Sequence, residues 1–391
     1  MIFKYALFEL KLLLRNKKNW LLGSVLILFF PIFFTYHSES SPETIRDIKI
    51  QEGKELQNIV DSYPAFLREQ HPKAEEIYQL IIQQTSLVNY QRYYLWLGED
   101  EYWDEYIENG LKLNELRLKV HELGNLSIPE HVIVPKEEIA KEMAFYSYLK
   151  EHQLPIVSDP LTASTVIPKA FDILSGMMFY IFILLWGADI YLTEVKHRSL
   201  TIGFPLSYLT KVNIKVATNT VYFLIVLLIS IGIGTLYISS KSSVGYFNYP
   251  TLIYLAGEMV AIPTFQYLLL AGILMTAITL FTFYLSIFLN ILLKTSYGSV
   301  IVGLSVVAIP YLLYSTGITP LFIQPFLSID FSNILNGNLA ITLNNPMIDI
   351  WFALIWLFFF TLIIFMISYL KNKRKFHSYK ATALINQEQV N

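Results

Sequence analysis

Apolar and basic positions interleave at helical spacing over residues 1–19, with Ile2, Phe3, Leu7, Leu10 and Leu14 set among Lys4, Lys11, Arg15, Lys17 and Lys18. This pattern predicts an amphipathic helix lying on an anionic membrane surface. Residues 20–36 are then continuously apolar and read as transmembrane helix 1, short for about 30 Å of hydrocarbon but flanked by aromatic anchors. The run leads into HSESSPE without a small-x-small cleavage pattern, which argues against a secretory signal.

Over residues 37–166 charged and polar residues dominate, yet Leu, Ile, Tyr and Trp recur every three or four positions, predicting a mainly helical domain. Gly98 and the pair Asn109–Gly110 are expected breaks, and Gly124 an expected helix stop. A loop through Pro129 and Pro135 then precedes a last helix over Lys136–His152.

The rest reads as membrane. Helix 2 is expected over Phe171–Tyr191 and helix 3 over Ile214–Ile238. Thr251–Leu293 is apolar for longer than one crossing needs; divided at Pro263, it gives an interfacial or re-entrant piece containing Glu258, then helix 4 over Thr264–Leu293. Helix 5 follows over Tyr297–Thr316, then a loop rich in Pro and Asn without Lys or Arg, then helix 6 over Ile350–Leu370. The expected architecture is an all-α polytopic membrane protein: six transmembrane helices, a helical insertion at 37–166 between helices 1 and 2, helices 2–6 within 167–370, and a polar tail at 371–391.

Composition agrees, at 54% hydrophobic and 15% charged residues with a mean hydropathy of +0.45, and the absence of cysteine removes disulfides, thiolate metal sites and cysteine nucleophiles. The net charge of −2 hides a split: residues 37–171 carry 13 Lys+Arg against 23 Asp+Glu, the remainder 16 against 8. Under six spans, Lys17, Lys18, Lys196, Arg198, Lys211, Lys215, Lys294, Lys371, Lys373, Arg374 and Lys375 fall on one face. The positive-inside rule makes that face cytoplasmic, with both termini on it and the acidic domain outside.

Charges, a glycine and a proline interrupt the apolar half at 194–213. Leu200, Ile202, Phe204, Leu206 and Leu209 are more apolar side chains than a hydrated loop needs, while Lys196, His197, Arg198 and Lys211 hold it at the surface. The residue before Pro205 is steered away from helical angles, and Ser207 is placed to cap a new helix. An elbow projecting apolar groups beyond the bilayer is predicted.

The order Glu194, then Lys196, His197, Arg198, Ser199 and Leu200, then Pro205, Ser207 and Lys211 resembles the signature of ABC type-2 permeases; Arg198 stands where that family usually has glycine. The amphipathic start, the insertion after helix 1, the polar segment between helices 5 and 6 and the basic tail resemble the same family along most of the chain. The resemblance implies a permease subunit of a bacterial ABC exporter in the cell membrane. It further implies docking of the elbow on an ABC ATPase chain that binds ATP and Mg, and pairing with a second permease subunit. No phosphate-cradling G-x-x-x-x-G-K-[ST] occurs, so ATP hydrolysis is expected on the partner, with no cofactor, catalytic residue or nucleic acid on this chain. The implied cargo is amphipathic or lipophilic, such as an antimicrobial peptide or toxin.

Among other residues, Glu258 has the most apolar surroundings of any acid and is a candidate cargo residue if it lies at membrane depth, and a surface carboxylate if it does not. Asp172 and Asp189 sit at the two ends of helix 2, and Asn219, Gln266 and Asn290 suit interhelical hydrogen bonding. Trp96, Tyr102 and Trp103, with Tyr90, Tyr93, Tyr94 and Tyr106, cluster near the acids of GEDEYWDEYIE and suit either a surface for a cationic peptide or a domain core. The seven histidines are scattered, with neither H-E-x-x-H nor G-x-S-x-G, so no metal site is expected. Two other readings compete with export: a peptide-sensing or immunity membrane protein, and an integral-membrane enzyme.

Overall fold

The computed structural model describes residues 1–157, 159–192, 194 and 203–388. Chain contacts divide it into two units, Met1–Pro31 with Lys169–Gly234 and Leu269–Asn391, and Ile32–Pro168 with Thr235–Leu268. In chain order the helices are α1 (Ile2–Arg15), α2 (Lys17–Glu39), α3 (Ile45–Ser62), α4 (Ala65–Gln70), α5 (Pro72–Leu97), α6 (Trp103–Leu123), α7 (Lys136–His152), α8 (Ala163–Leu174), α9 (Met177–Gly187) and α10 (Tyr208–Lys241). A hairpin of β1 (Pro250–Leu255) and β2 (Glu258–Pro263) follows, then α11 (Thr264–Leu293), α12 (Ser296–Ser315), α13 (Phe331–Leu335), α14 (Asn338–Thr342) and α15 (Ile350–Glu388). Among the described residues five helices, α2, α10, α11, α12 and α15, are long and apolar enough to cross a membrane, and the bent pair α8–α9 makes a sixth if counted as one. The chain is a mainly helical, multi-pass membrane protein.

In the second unit α3, α5 and α6 bury Leu56, Ile59, Ile77, Ile81, Val88, Leu113 and Val120 in one core. A second core joins Leu95, Tyr106 and Ile107 to Tyr146 and Leu149 of α7. Thr44 and Asp47 start α3 with a reciprocal capping box, and α5 and α6 end where Gly98 and Gly124 adopt left-handed φ of 67° and 95°. Gly110 is no break, contrary to its expected role. It lies inside α6, where a Cβ would stand 2.6 Å from the Tyr146 ring, so its bare face admits the ring of α7. At the centre Arg117 donates to Glu142 at 2.8 Å and to Glu52, and Lys49 donates to Glu52 at 2.7 Å. Burial alone would raise the Glu52 carboxyl, but the neighbouring Lys49 and Arg117 cations outweigh it and hold the group below its ordinary value.

The expected re-entrant piece before Pro263 is the β-hairpin, which also departs from an all-α chain. Its strands pair antiparallel from Pro250↔Pro263 to Leu255↔Glu258, around a turn in which Ala256 and Gly257 have φ of 51° and 94°. It packs on α7, with Tyr249 against Phe145 at 5.6 Å between ring centroids. Glu258 sits exposed at the tip of the hairpin, paired with Leu255.

In the first unit small residues let helices approach closely. A Cβ on Gly234 of α10 would meet Phe30 of α2 at 2.5 Å, and one on Gly303 of α12 would meet Leu184 of α9 at 2.7 Å. The expected continuous helix 2 is broken instead: α8 and α9 bend by 70° at Ser175–Gly176. Gly176 takes φ 66° and ψ −135°, a conformation open to glycine, and Ser175 Oγ donates to Asp330 at 3.0 Å while accepting from Ser332 N at 2.9 Å. The segment expected as a polar loop is packed: a 3-10 turn (Gln324–Ile329), α13 and α14 bury Ile323, Leu327, Ile329, Phe331, Ile334, Leu335 and Leu339.

Two outcomes follow. Gly110→Ala overpacks the α6–α7 contact and costs about 1–3 kcal/mol, read as a lower thermal midpoint of the detergent-solubilised chain. The depressed Glu52 carboxyl supplies stability that is complete above its ordinary value of 4.5 and is lost as pH falls through its lowered value. Acidification from about pH 5 to pH 3 therefore destabilises the wild-type chain more than Glu52→Gln, by unfolding titrations at both pH values.

Candidate functional site

The first unit gathers α1, the segment after α9 and the first turns of α10 around four charges. Tyr5, Glu9 and Leu13 occupy successive turns on the buried face of α1. Lys211 and Lys215 do the same on α10, and Glu194 reaches them from between the helices. Lys215 Nζ donates to Glu9 Oε1 at 2.7 Å and stands 4.0 Å from Glu194 Oε2; Lys211 Nζ lies 3.8 Å from Glu194 Oε1. Lys215 is 1% exposed and Glu9 4% exposed, so the ion pair between them is a buried one.

The electrostatics balance closely. Two carboxylates and two ammonium groups sum to zero, and the Tyr5 ring adds a π-face 5.9 Å from Lys215 Nζ. Burial raises the Glu194 carboxyl, with Lys215 and Lys211 pulling the other way. Its Oε2 has no hydrogen-bond partner among the described residues, and neither has the buried Tyr5 hydroxyl. Burial, then the charges of Glu9 and Glu194, push the Tyr5 phenol up. Such a cluster resists partial rearrangement, because a charge that loses its partner stays out of water.

The elbow differs in part from its expected form. Phe204 folds back onto α1, its ring 5.2 Å from that of Tyr5 and 5.5 Å from that of Phe8, since aromatic surface on α1 is nearer than any beyond it. Pro205 is exposed and Leu206 half-buried beside it. Ser207 caps α10, its Oγ accepting from Thr210 N at 3.2 Å. Lys196, His197, Arg198, Ser199, Leu200 and Ile202 lie outside the described residues.

A second tie fixes α1 and α2 to the end of α9. Lys18 Nζ donates to the carbonyls of Leu185 and Trp186 at 3.0 and 2.9 Å and pairs with Asp189, which also accepts from Asn16 Nδ2 at 3.2 Å. A cation on the last carbonyls complements the helix dipole, which gives Asp189 its helix-end role. Asn290 bridges helices as expected, donating to Ala188 O at 3.0 Å and to Ser299 Oγ at 2.9 Å. Asn219 donates within its own helix to Lys215 O, and Gln266 is exposed, so neither joins helices by a bond seen here.

The aromatic cluster of the second unit is split. Tyr106 is core, Trp103 packs against that core, and Tyr102 stacks on Tyr94 at 5.7 Å. Trp96 is exposed with Tyr90 and Tyr93. Among the described residues no group of three His, Asp or Glu side chains is arranged to hold a metal ion.

Sequence reading missed Glu9 and took Lys215 for a topology residue. The signal was present: Glu9 is the one acid within residues 1–19, and it shares a helical face with Tyr5 and Leu13.

Lys215→Met leaves Glu9 buried without its partner and costs about 3–5 kcal/mol, whereas Glu9→Gln combined with Lys215→Met restores most of that loss. Thermal unfolding of the purified single and double variants measures both. No protein-family model, curated protein or solved structure matches this chain.

Proposed function

We propose that this chain is the permease subunit of an ATP-driven exporter in a bacterial cell membrane, crossing it six times with α8–α9 as the broken second span. Both termini, the 194–213 elbow and the basic ends face the cytoplasm, and the acidic helical unit is extracytoplasmic. A separate ATPase chain binds ATP and Mg, a second permease subunit completes the path, and the cargo is amphipathic. The observation that carries this reading is the buried Glu9–Lys215–Glu194–Lys211 cluster, which joins α1, the elbow and the base of α10 into one body. A partner that grips the elbow differently in its two nucleotide states then biases α10, a helix of 34 residues or about 51 Å, without any chemistry on this chain. Among the described residues of the elbow, Leu206 and Pro205 are left for the partner, since Phe204 packs on α1.

Two measurements test this. The chain lacks cysteine, so Gly203→Cys gives a single thiol; an impermeant maleimide leaves it unlabelled in intact cells and labels it after permeabilisation. Leu206→Asp lowers the ATP-hydrolysing subunit recovered with the tagged chain at least about tenfold, a loss of about 1.4 kcal/mol in association, with the membrane level unchanged. Labelling from outside, or purification without any ATPase, refutes the reading.

A further inference from the structure

On the second unit a surface groove of about 370 Å³ runs between the first turns of α3 and the last turns of α5, lined by Arg46, Ile50, Asn89, Arg92, Tyr93 and Trp96. Arg92 Nη1 donates to Asn89 Oδ1 at 3.1 Å, and its side chain lies over Gly53, where a Cβ would come within 3.1 Å of it. Neither Arg46 nor Arg92 makes an ion pair with a carboxylate among the described residues, whereas Arg117, Lys49, Lys141 and Lys150 of the same unit each have one. Shortage of acid is not the reason, with 23 Asp+Glu against 13 Lys+Arg over residues 37–171. Beside the two guanidinium groups Trp96 is 65% exposed and Tyr93 53% exposed, their rings stacked at 6.3 Å, with Tyr90 and Ile48 also open.

Two guanidinium forks without a carboxylate partner among the described residues, beside amphipathic rings, match a phosphate joined to an apolar body. Connectivity says where such a group comes from. α3 begins at Ile45, six residues after Glu39 ends the membrane helix α2, a span of at most about 20 Å. Arg46 and Ile50 therefore stand at the end of the unit tethered to the bilayer. A free anion must approach against the net negative charge of the domain, while a headgroup is already held at high local concentration beside it. We propose that this groove binds the phosphate of an anionic phospholipid in the leaflet on the domain's side, with Arg46 and Arg92 on the phosphate oxygens and Tyr93 and Trp96 at the boundary with the acyl chains. The proposal is independent of whether the chain exports anything.

The full chain, carrying a fluorophore on Tyr90→Cys as its only thiol, is reconstituted into vesicles of phosphatidylcholine with or without phosphatidylglycerol, each doped with a headgroup-nitroxide lipid. Quenching is expected to be at least about threefold stronger with phosphatidylglycerol, to fall with added salt, and to return to the phosphatidylcholine level in the Arg46→Gln/Arg92→Gln variant. Arg46→Lys/Arg92→Lys, which keeps the charge and loses the fork, gives an intermediate value, so the series does not depend on one variant folding. A label on Lys119→Cys, at the other end of the α5–α6 hairpin, shows no lipid dependence. The proposal is overturned by quenching that ignores phosphatidylglycerol or survives Arg46→Gln/Arg92→Gln. It is equally overturned if inorganic phosphate abolishes the effect where sodium chloride of equal ionic strength does not, or if a labelled acidic peptide binds the wild type and not the glutamine variant while lipid quenching stays at background.

Discussion

The join between α1 and α10 in the first unit rests on one buried ion pair, Lys215 with Glu9, and on Glu194 beside it. A cation 1% exposed at the base of a membrane helix is sustainable only when carboxylates come to it, and here they come from two separate places in the chain. That requirement fixes α1 against α10 more firmly than its apolar stripe could, because apolar faces slide at small cost whereas a partnered charge has one seat. The aromatic contacts of Tyr5, Phe8 and Phe204 shield the pair from water and strengthen it, so packing and charge support each other.

The bent pair α8–α9 obeys the same economy. Opening a helix between Leu174 and Met177 frees backbone groups that must find partners. At the break Ser175 Oγ donates to Asp330, and Asp330 also accepts from Asn333 N and Nδ2, so the bend between α8 and α9 and the start of α13 share a carboxylate. The packed Pro/Asn segment is thus the structural counterpart of the break; a Cβ on Gly176 would come within 3.1 Å of Asp330 Oδ2. Small size at Gly176 is required twice, for its backbone angles and for this approach.

Long apolar runs bounded by proline or charge were legible: Thr264–Leu293 lies where Pro263 and Lys294 delimit it, and Lys136–His152 where Pro135 starts it. Glycine was legible only with context. At Gly98 and Gly124 the apolar period stops and the residue caps a helix; at Gly110 the period continues, and the bare face serves the Tyr146 ring, a contact with a residue 36 positions away that local sequence does not carry. The hairpin hid inside an apolar stretch because both its strands are apolar, although Gly257 between the two apolar runs was a turn signal. The Ser175–Gly176 pair was likewise a known kink signal, overridden by the hydrophobicity around it. The charge cluster needed four residues from three segments, and pattern reading ranks residues one segment at a time.

The two units handle buried charge in opposite ways, and the contrast bears on which could move. In the second unit Arg117 spans Glu52 and Glu142 within a core of tightly packed helices, so every charge has a direct hydrogen bond. In the first, Glu194 holds its cations at 3.8 and 4.0 Å, beyond hydrogen-bond reach, with one oxygen lacking such a bond. Charge alone therefore holds that carboxylate between two lysines one helical turn apart, and burial penalises its leaving either. The Glu9 pair at 2.7 Å, by contrast, joins α1 to α10 by a direct hydrogen bond. The first unit thus has one joint made by a direct hydrogen bond and one held by charge alone, both at the base of α10.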